Sequence, residues 1–143
     1  FGLSEAIAET ICQFASDELK DKYLPLFTSG EISGAMILTE PDAGSDVGLG
    51  RTRAALADDG NWHLTGTKRF ITWAAHDAAE NVIHCVLARP QGVEGQGGPG
   101  TKGLSLFMVP SQLFDPKVNT QMAIIVFRRM GGQGPWTGPI PCA

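Results

Sequence analysis

The run Leu38-Thr39-Glu40-Pro41-Asp42-Ala43-Gly44-Ser45-Asp46 concentrates more chemically useful residues than any other stretch of the chain. An apolar segment stops at Pro41, which has no N–H and so ends a strand ladder, and then breaks into small residues. Ala43 and Gly44 allow a backbone to approach a flat ring or a phosphate closely, while Thr39 and Ser45 offer a hydroxyl at each end. A bound anion would find free backbone N–H groups in such a turn. A planar ring with one polar edge would find donors for that edge and apolar packing for its face. The residue types do not choose between these ligands, and they equally suit a strand ending in an Asx or Ser turn, with Asp42 and Asp46 bonding their own backbone.

Other constellations carry less. His63, His76 and His84 have no carboxylate or cysteine at ligand spacing, which argues against a zinc site. Gly95 to Gly100 lacks a following Lys-Ser/Thr and a helix start, so it is not a phosphate loop. Nothing places Asp42, Asp46 and Asp77 together as acid and base, and solvated turn carboxylates suffice. Cys12, Cys85 and Cys142 are odd in number and far apart, giving neither a disulfide framework nor a metal knuckle; reduced thiols are expected.

The elements that must position the Thr39 run fall into two textures. Leu3, Ile7, Ile11 and Phe14 recur at spacings of three and four, the stripe of an amphipathic helix. Ser16 can cap a second helix through its hydroxyl, with Asp17 and Glu18 favoured by the dipole in the first turn and Gly30 as the stop. After Gly34 short apolar runs alternate with glycine and turn residues, which reads as many strands. Candidate strands are 35–39, 51–57, 62–65, 68–72, 81–88 and 103–109, with 58–61 as a hairpin turn. A small barrel or sandwich fits that pattern. Residues 90–101, rich in Gly, Gln and Pro, are expected to form an exposed mobile loop.

The chain has 143 residues, 43% of them hydrophobic and 18% charged, enough for one globular domain and little more. Its net charge of −4 supplies neither a basic face for nucleic acid nor a polybasic segment for a membrane surface. No run approaches the roughly 20 apolar residues that span a bilayer. A soluble cytoplasmic protein is the expectation.

The Leu38–Asp46 run closely resembles the flavin-binding signature of the acyl-CoA dehydrogenases, and further stretches agree in order: Asp21 to Pro25, Ser29 to Glu31, Trp62 to Thr72, Ala88-Arg89 and Lys102 to Pro110. The resemblance runs from about Glu18 to Pro116 and is closest to the larger bacterial members, the mycobacterial long-chain and methylmercaptopropionyl-CoA types. It implies an α+β chain in which two short helices precede a mainly antiparallel β-barrel, the family's middle domain, in incomplete form. Residues 1–33 would then end a helical N-terminal domain, 34–117 form the middle domain, and 118–143 make an unrecognised tail, disordered or produced by a frame shift.

By the same resemblance the cofactor is FAD. Its contacts fall on Met36, Leu38, Thr39, Ser45, Phe70 and Thr72. Thr39 would bond the pyrimidine edge, Phe70 would pack on the flavin where many members carry tryptophan, and Thr72 would bond near N5. Ser45 would bind either the FAD pyrophosphate or the CoA arm of the substrate. In the family a glutamate removes the α-proton of an acyl-CoA while the β-hydrogen leaves as hydride to the flavin, giving a trans-2-enoyl-CoA. That glutamate lies in a C-terminal helical domain, so no catalytic residue is expected here, and Glu80 and Glu94 are not assigned its role. Electron-transfer flavoprotein as acceptor and a homo-oligomeric full-length enzyme are also implied. The reading from another class is a β-barrel binding module without chemistry.

Overall fold

The computed structural model describes residues 2–58, 60–111, 114–115 and 120–123. Two helices come first, α1 (Gly2–Phe14) and α2 (Asp17–Ser29). Ser16 is the N-cap of α2, but its hydroxyl makes no capping bond; Gly30 ends the helix at φ 82° as the left-handed stop. The strands are β1 (Ile32–Ile37), β2 (Arg53–Leu56), β3 (Trp62–Thr65), β4 (Asn81–Gln91), β5 (Ser105–Pro110), β6 (Phe114–Asp115) and β7 (Thr120–Ala123). β2 and β3 form the expected hairpin, with Gly60 at φ 82° in its turn.

The sheet differs from the expected mainly antiparallel barrel. Among the described residues it is open and mixed, in the order β1-β4-β2-β3-β7-β6 with β5 on β4. β4 runs parallel to β1 over Asn81–Val86 and parallel to β2 over Arg89–Gln91, and antiparallel to β5. The cause is the long crossover of residues 38–80, which returns the chain in the direction of β1. Strand 81–91 therefore belongs to both ladders.

β4 is buried on both faces from Val82 to Val86, where apolar residues flank the buried His84. On one face Ile83 and Cys85 join Ile32 and Met108 against Ile7, Ile11, Leu19 and Tyr23 of the helices. On the other, Val82 and Val86 join Ala35, Ile37, Phe107 and Val109 against Ala54, Trp62 and Leu64, with the Trp62 and Phe107 rings 5.4 Å apart. Gly34 makes the helical layer possible, because a β-carbon there would sit 2.7 Å from Cβ of Ile7. Ser4 of α1 accepts a 3.1 Å hydrogen bond from the Gly34 N–H, tying the helix to β1.

Cys85 is free and buried, as expected of a reduced thiol, whereas Cys12 is disulfide-bonded. Residues 90–101 form no strand beyond Gln91 and are largely exposed, but the Arg89 guanidinium anchors them through the carbonyls of Gly98 and Gly100, the latter at 3.2 Å. The same guanidinium donates to the Gly48 carbonyl at 2.9 Å, joining this loop to the turn after Asp46. Most of the tail 118–143 lies outside the described residues.

Candidate flavin-binding site

Beyond β1 the chain closes a tight turn at Pro41-Asp42, with Glu40 and Ala43 exchanging backbone hydrogen bonds of 3.0 and 3.2 Å. Asp46 then accepts from the Gly48 N–H at 3.1 Å, the Asx arrangement anticipated for it. Further along, the N–H groups of Arg51 and Thr52 donate to Glu40, whose carboxylate accepts them at 2.6 and 3.0 Å.

Glu40 is 6% exposed and pairs with Lys68 at 2.8 Å; Lys68 also donates to the Leu38 carbonyl at 3.0 Å. Burial alone would raise the Glu40 pKa, but the Lys68 ammonium and the Arg51 and Thr52 N–H groups outweigh it and hold the carboxyl at about 2. The partners do not benefit equally: burial pulls Lys68 down by more than Glu40 restores. The carboxylate, with its several donors, is the secure member of the pair.

Arg69 donates its backbone N–H to the Thr39 carbonyl at 3.0 Å, so the Leu38–Thr39 segment lies against the segment leading to Phe70. Residues 68–72 do not form the expected strand. Phe70 and Trp73 adopt positive φ of 59° and 63°, which turns the chain out of extended conformation. Phe70 is 83% exposed and stands at a cleft of about 500 Å³ whose lining includes Ile37, Leu64, Ile71 and Val86 together with Lys68 and Arg69.

Of the six residues singled out from sequence, Phe70 lines this cleft. Leu38 and Thr39 are half-buried at the end of β1, against Lys68 and Arg69. Met36 is half-buried on the other side of β1, packed on the helical cluster. Ser45, past the turn, and Thr72 are exposed. Among the described residues the hydroxyls of Thr39, Ser45 and Thr72 are left without a protein partner, so each retains a donor for a ligand. Glu40 and Lys68 had no role in the sequence reading; the signal available was a carboxylate at the end of an apolar strand, immediately before Pro41.

Two histidines line the cleft, and hydrogen bonds hold both rings. His84 Nε2 faces the Ala74 carbonyl at 2.7 Å, and burial holds its pKa below the ordinary value, which keeps the ring neutral as the donor. His76 Nδ1 accepts from the Ala78 N–H at 3.1 Å, so its Nε2 carries the proton toward Ser33 at 2.9 Å and cannot serve that hydroxyl as base. Among the described residues no group of three or more potential metal ligands comes together, and no helix is long and apolar enough to cross a membrane.

The cleft lies on a domain built on a mixed β-sheet, and comparison with known proteins identifies its family. The family model for the acyl-CoA dehydrogenase middle domain matches residues 35–130, and the chain belongs to that family. It is 50% identical over 109 residues to the broad-specificity linear acyl-CoA dehydrogenase FadE5 of Mycobacterium tuberculosis, a match covering 76% of this chain and 17% of that protein. It is 44% identical over 112 residues to 3-methylmercaptopropionyl-CoA dehydrogenase of Ruegeria pomeroyi, covering 78% of this chain and 18% of that one. Among solved structures, an acyl-CoA dehydrogenase complexed with FAD from Bacillus anthracis superposes with a TM-score of 0.60 at 28% identity, over 85% of this chain and 21% of that one. The chain thus spans less than a fifth of the length of the two curated relatives.

Proposed function

We propose that this chain is the flavin-facing middle portion of an FAD-dependent acyl-CoA dehydrogenase, acting in the α,β-dehydrogenation of an acyl-CoA thioester to the trans-2-enoyl-CoA. The observation that carries the reading is the 3.0 Å bond from the Arg69 N–H to the Thr39 carbonyl, which sets the two flavin motifs of a family member side by side. The residues present fit the group. Thr39, Ser45 and Thr72 keep unpaired hydroxyls, and Phe70 holds out a bare aromatic face at an apolar cleft.

When bound, FAD supplies the acceptor for the hydride that leaves the substrate β-carbon. Thr39 donates to the pyrimidine edge and Thr72 to the region of N5, orienting the ring. Phe70 and Leu38 pack on it and exclude water, though Phe70 lacks the indole N–H that tryptophan would add. Ser45 holds a phosphate or the CoA arm. No residue of this chain is given the role of the α-proton base. An acyl-CoA as substrate, electron-transfer flavoprotein as acceptor and a homo-oligomeric full enzyme belong to the same reading, as do the domain limits at 33/34 and 117/118.

Titrating the purified chain with FAD tests it. Binding is expected to perturb the flavin absorbance and quench its fluorescence; free-flavin spectra at high protein concentration would overturn the proposal and leave a binding module without flavin.

A further inference from the structure

Three separate parts of the chain converge on one carboxylate. Glu40 ends the β1 segment, its oxygens gather the Arg51 and Thr52 N–H groups across the 41–50 loop, and Lys68 Nζ reaches it at 2.8 Å from beyond β3. Lys68 spans the junction, because the same ammonium is 3.0 Å from the Leu38 carbonyl. One residue further along each segment of this junction, the Arg69 N–H meets the Thr39 carbonyl. The ion pair is 6% and 11% exposed at its two side chains, so solvent scarcely competes with it. A pair this buried contributes little net stability relative to well-packed apolar residues of the same volume, since desolvation offsets most of the attraction. What it does supply is geometry: an ammonium with two acceptors at fixed distances admits one register between the segments.

We propose that Glu40 and Lys68 are positioning residues, whose buried pair joins the segment bearing Thr39 and Ser45 to the one bearing Phe70 and Thr72, so that flavin affinity depends on this joint; Glu40 lies outside the lining of the cleft and acts through Lys68. The inference rests on the flavin reading above. In the ligand-free chain, too, the Arg69 N–H is protected only while Lys68 is seated.

Both parts are tested on the 143-residue chain with Lys68→Met, Lys68→Arg and Glu40→Gln. Amide exchange without ligand is expected to show Arg69 at least tenfold less protected in Lys68→Met, with Ile83 to Val86 of β4 unchanged, and partial recovery in Lys68→Arg. FAD titration is expected to show at least a tenfold loss of affinity and an altered bound-flavin band in Lys68→Met, again partly restored by Lys68→Arg. Unchanged Arg69 protection or unchanged affinity in a folded Lys68→Met chain overturns the proposal. If the unaltered chain binds no flavin, the functional reading fails and the exchange experiment alone decides the joint. Should Lys68→Met not fold, Glu40→Gln is judged by the same two readouts; if neither folds, the pair serves global stability and the positioning role is overturned.

Discussion

Ile7 of α1 occupies the space into which a side chain on Gly34 of β1 would project, its Cβ only 2.7 Å from where a β-carbon would lie. Helix and sheet meet there at a distance that only glycine allows. Gly34→Ala is expected to cost about 1–3 kcal/mol by overpacking. In an Ile7→Ala background, itself about 2–5 kcal/mol less stable, the close approaches to Cγ1 and Cγ2 disappear while the one to Cβ stays, so the cost should shrink without vanishing. Urea midpoints of the four variants check this; an undiminished cost in the double variant would exclude the contact as the cause.

Glu40 makes stability depend on acid. Its folded pKa of about 2 lies below the ordinary 4.5, so the folded state binds fewer protons. The stabilisation is therefore complete above about pH 5 and is lost as pH falls toward 2. Glu40→Gln should cost on the order of 3 kcal/mol at pH 7 and little at pH 2. Thermal midpoints across that range would show the two curves converging in acid.

Arg89 holds the glycine-rich loop by the Gly98 and Gly100 carbonyls and the neighbouring turn by Gly48. Arg89→Gln should free the loop without unfolding the sheet. Trypsin cleavage after Lys102 is expected to accelerate roughly tenfold, the effect of about 1.4 kcal/mol less local opening energy. Equal cleavage rates would show that the loop is held by other contacts, such as Gly103 packed on the Gly98 carbonyl.

Cys85 is fully buried in β4, and burial pushes its thiol up to about 12. At pH 8 the ionised fraction is on the order of one in 10,000. Iodoacetamide should label Cys85 only as fast as the chain unfolds, and promptly in denaturant. Rapid native labelling, read by peptide mass, would contradict the packing of β4 between its two layers.

Periodicity exposed the helices because each buries one stripe, and Gly30 marked the end of α2 because a left-handed residue is cheapest as glycine. The hairpin at 58–61 was legible in the same way. The strand expected at 68–72 was not there, since nothing in Phe70 or Trp73 advertises the positive φ that both adopt. The direction of β4 was also hidden: an apolar run tells that a strand is covered on both faces, not which neighbour it follows.

By itself the sequence determined the two helices, the hairpin turn at 58–61 and the family, because these depend on local residue chemistry and spacing. Tertiary structure alone decided that the sheet is mixed and that Lys68 closes on Glu40 across 28 residues of chain. It also decided that the Arg51 and Thr52 N–H groups serve that carboxylate. The reason is physical. A long-range pair forms where burial removes competing water, and burial is a property of the assembled layers that no single segment carries.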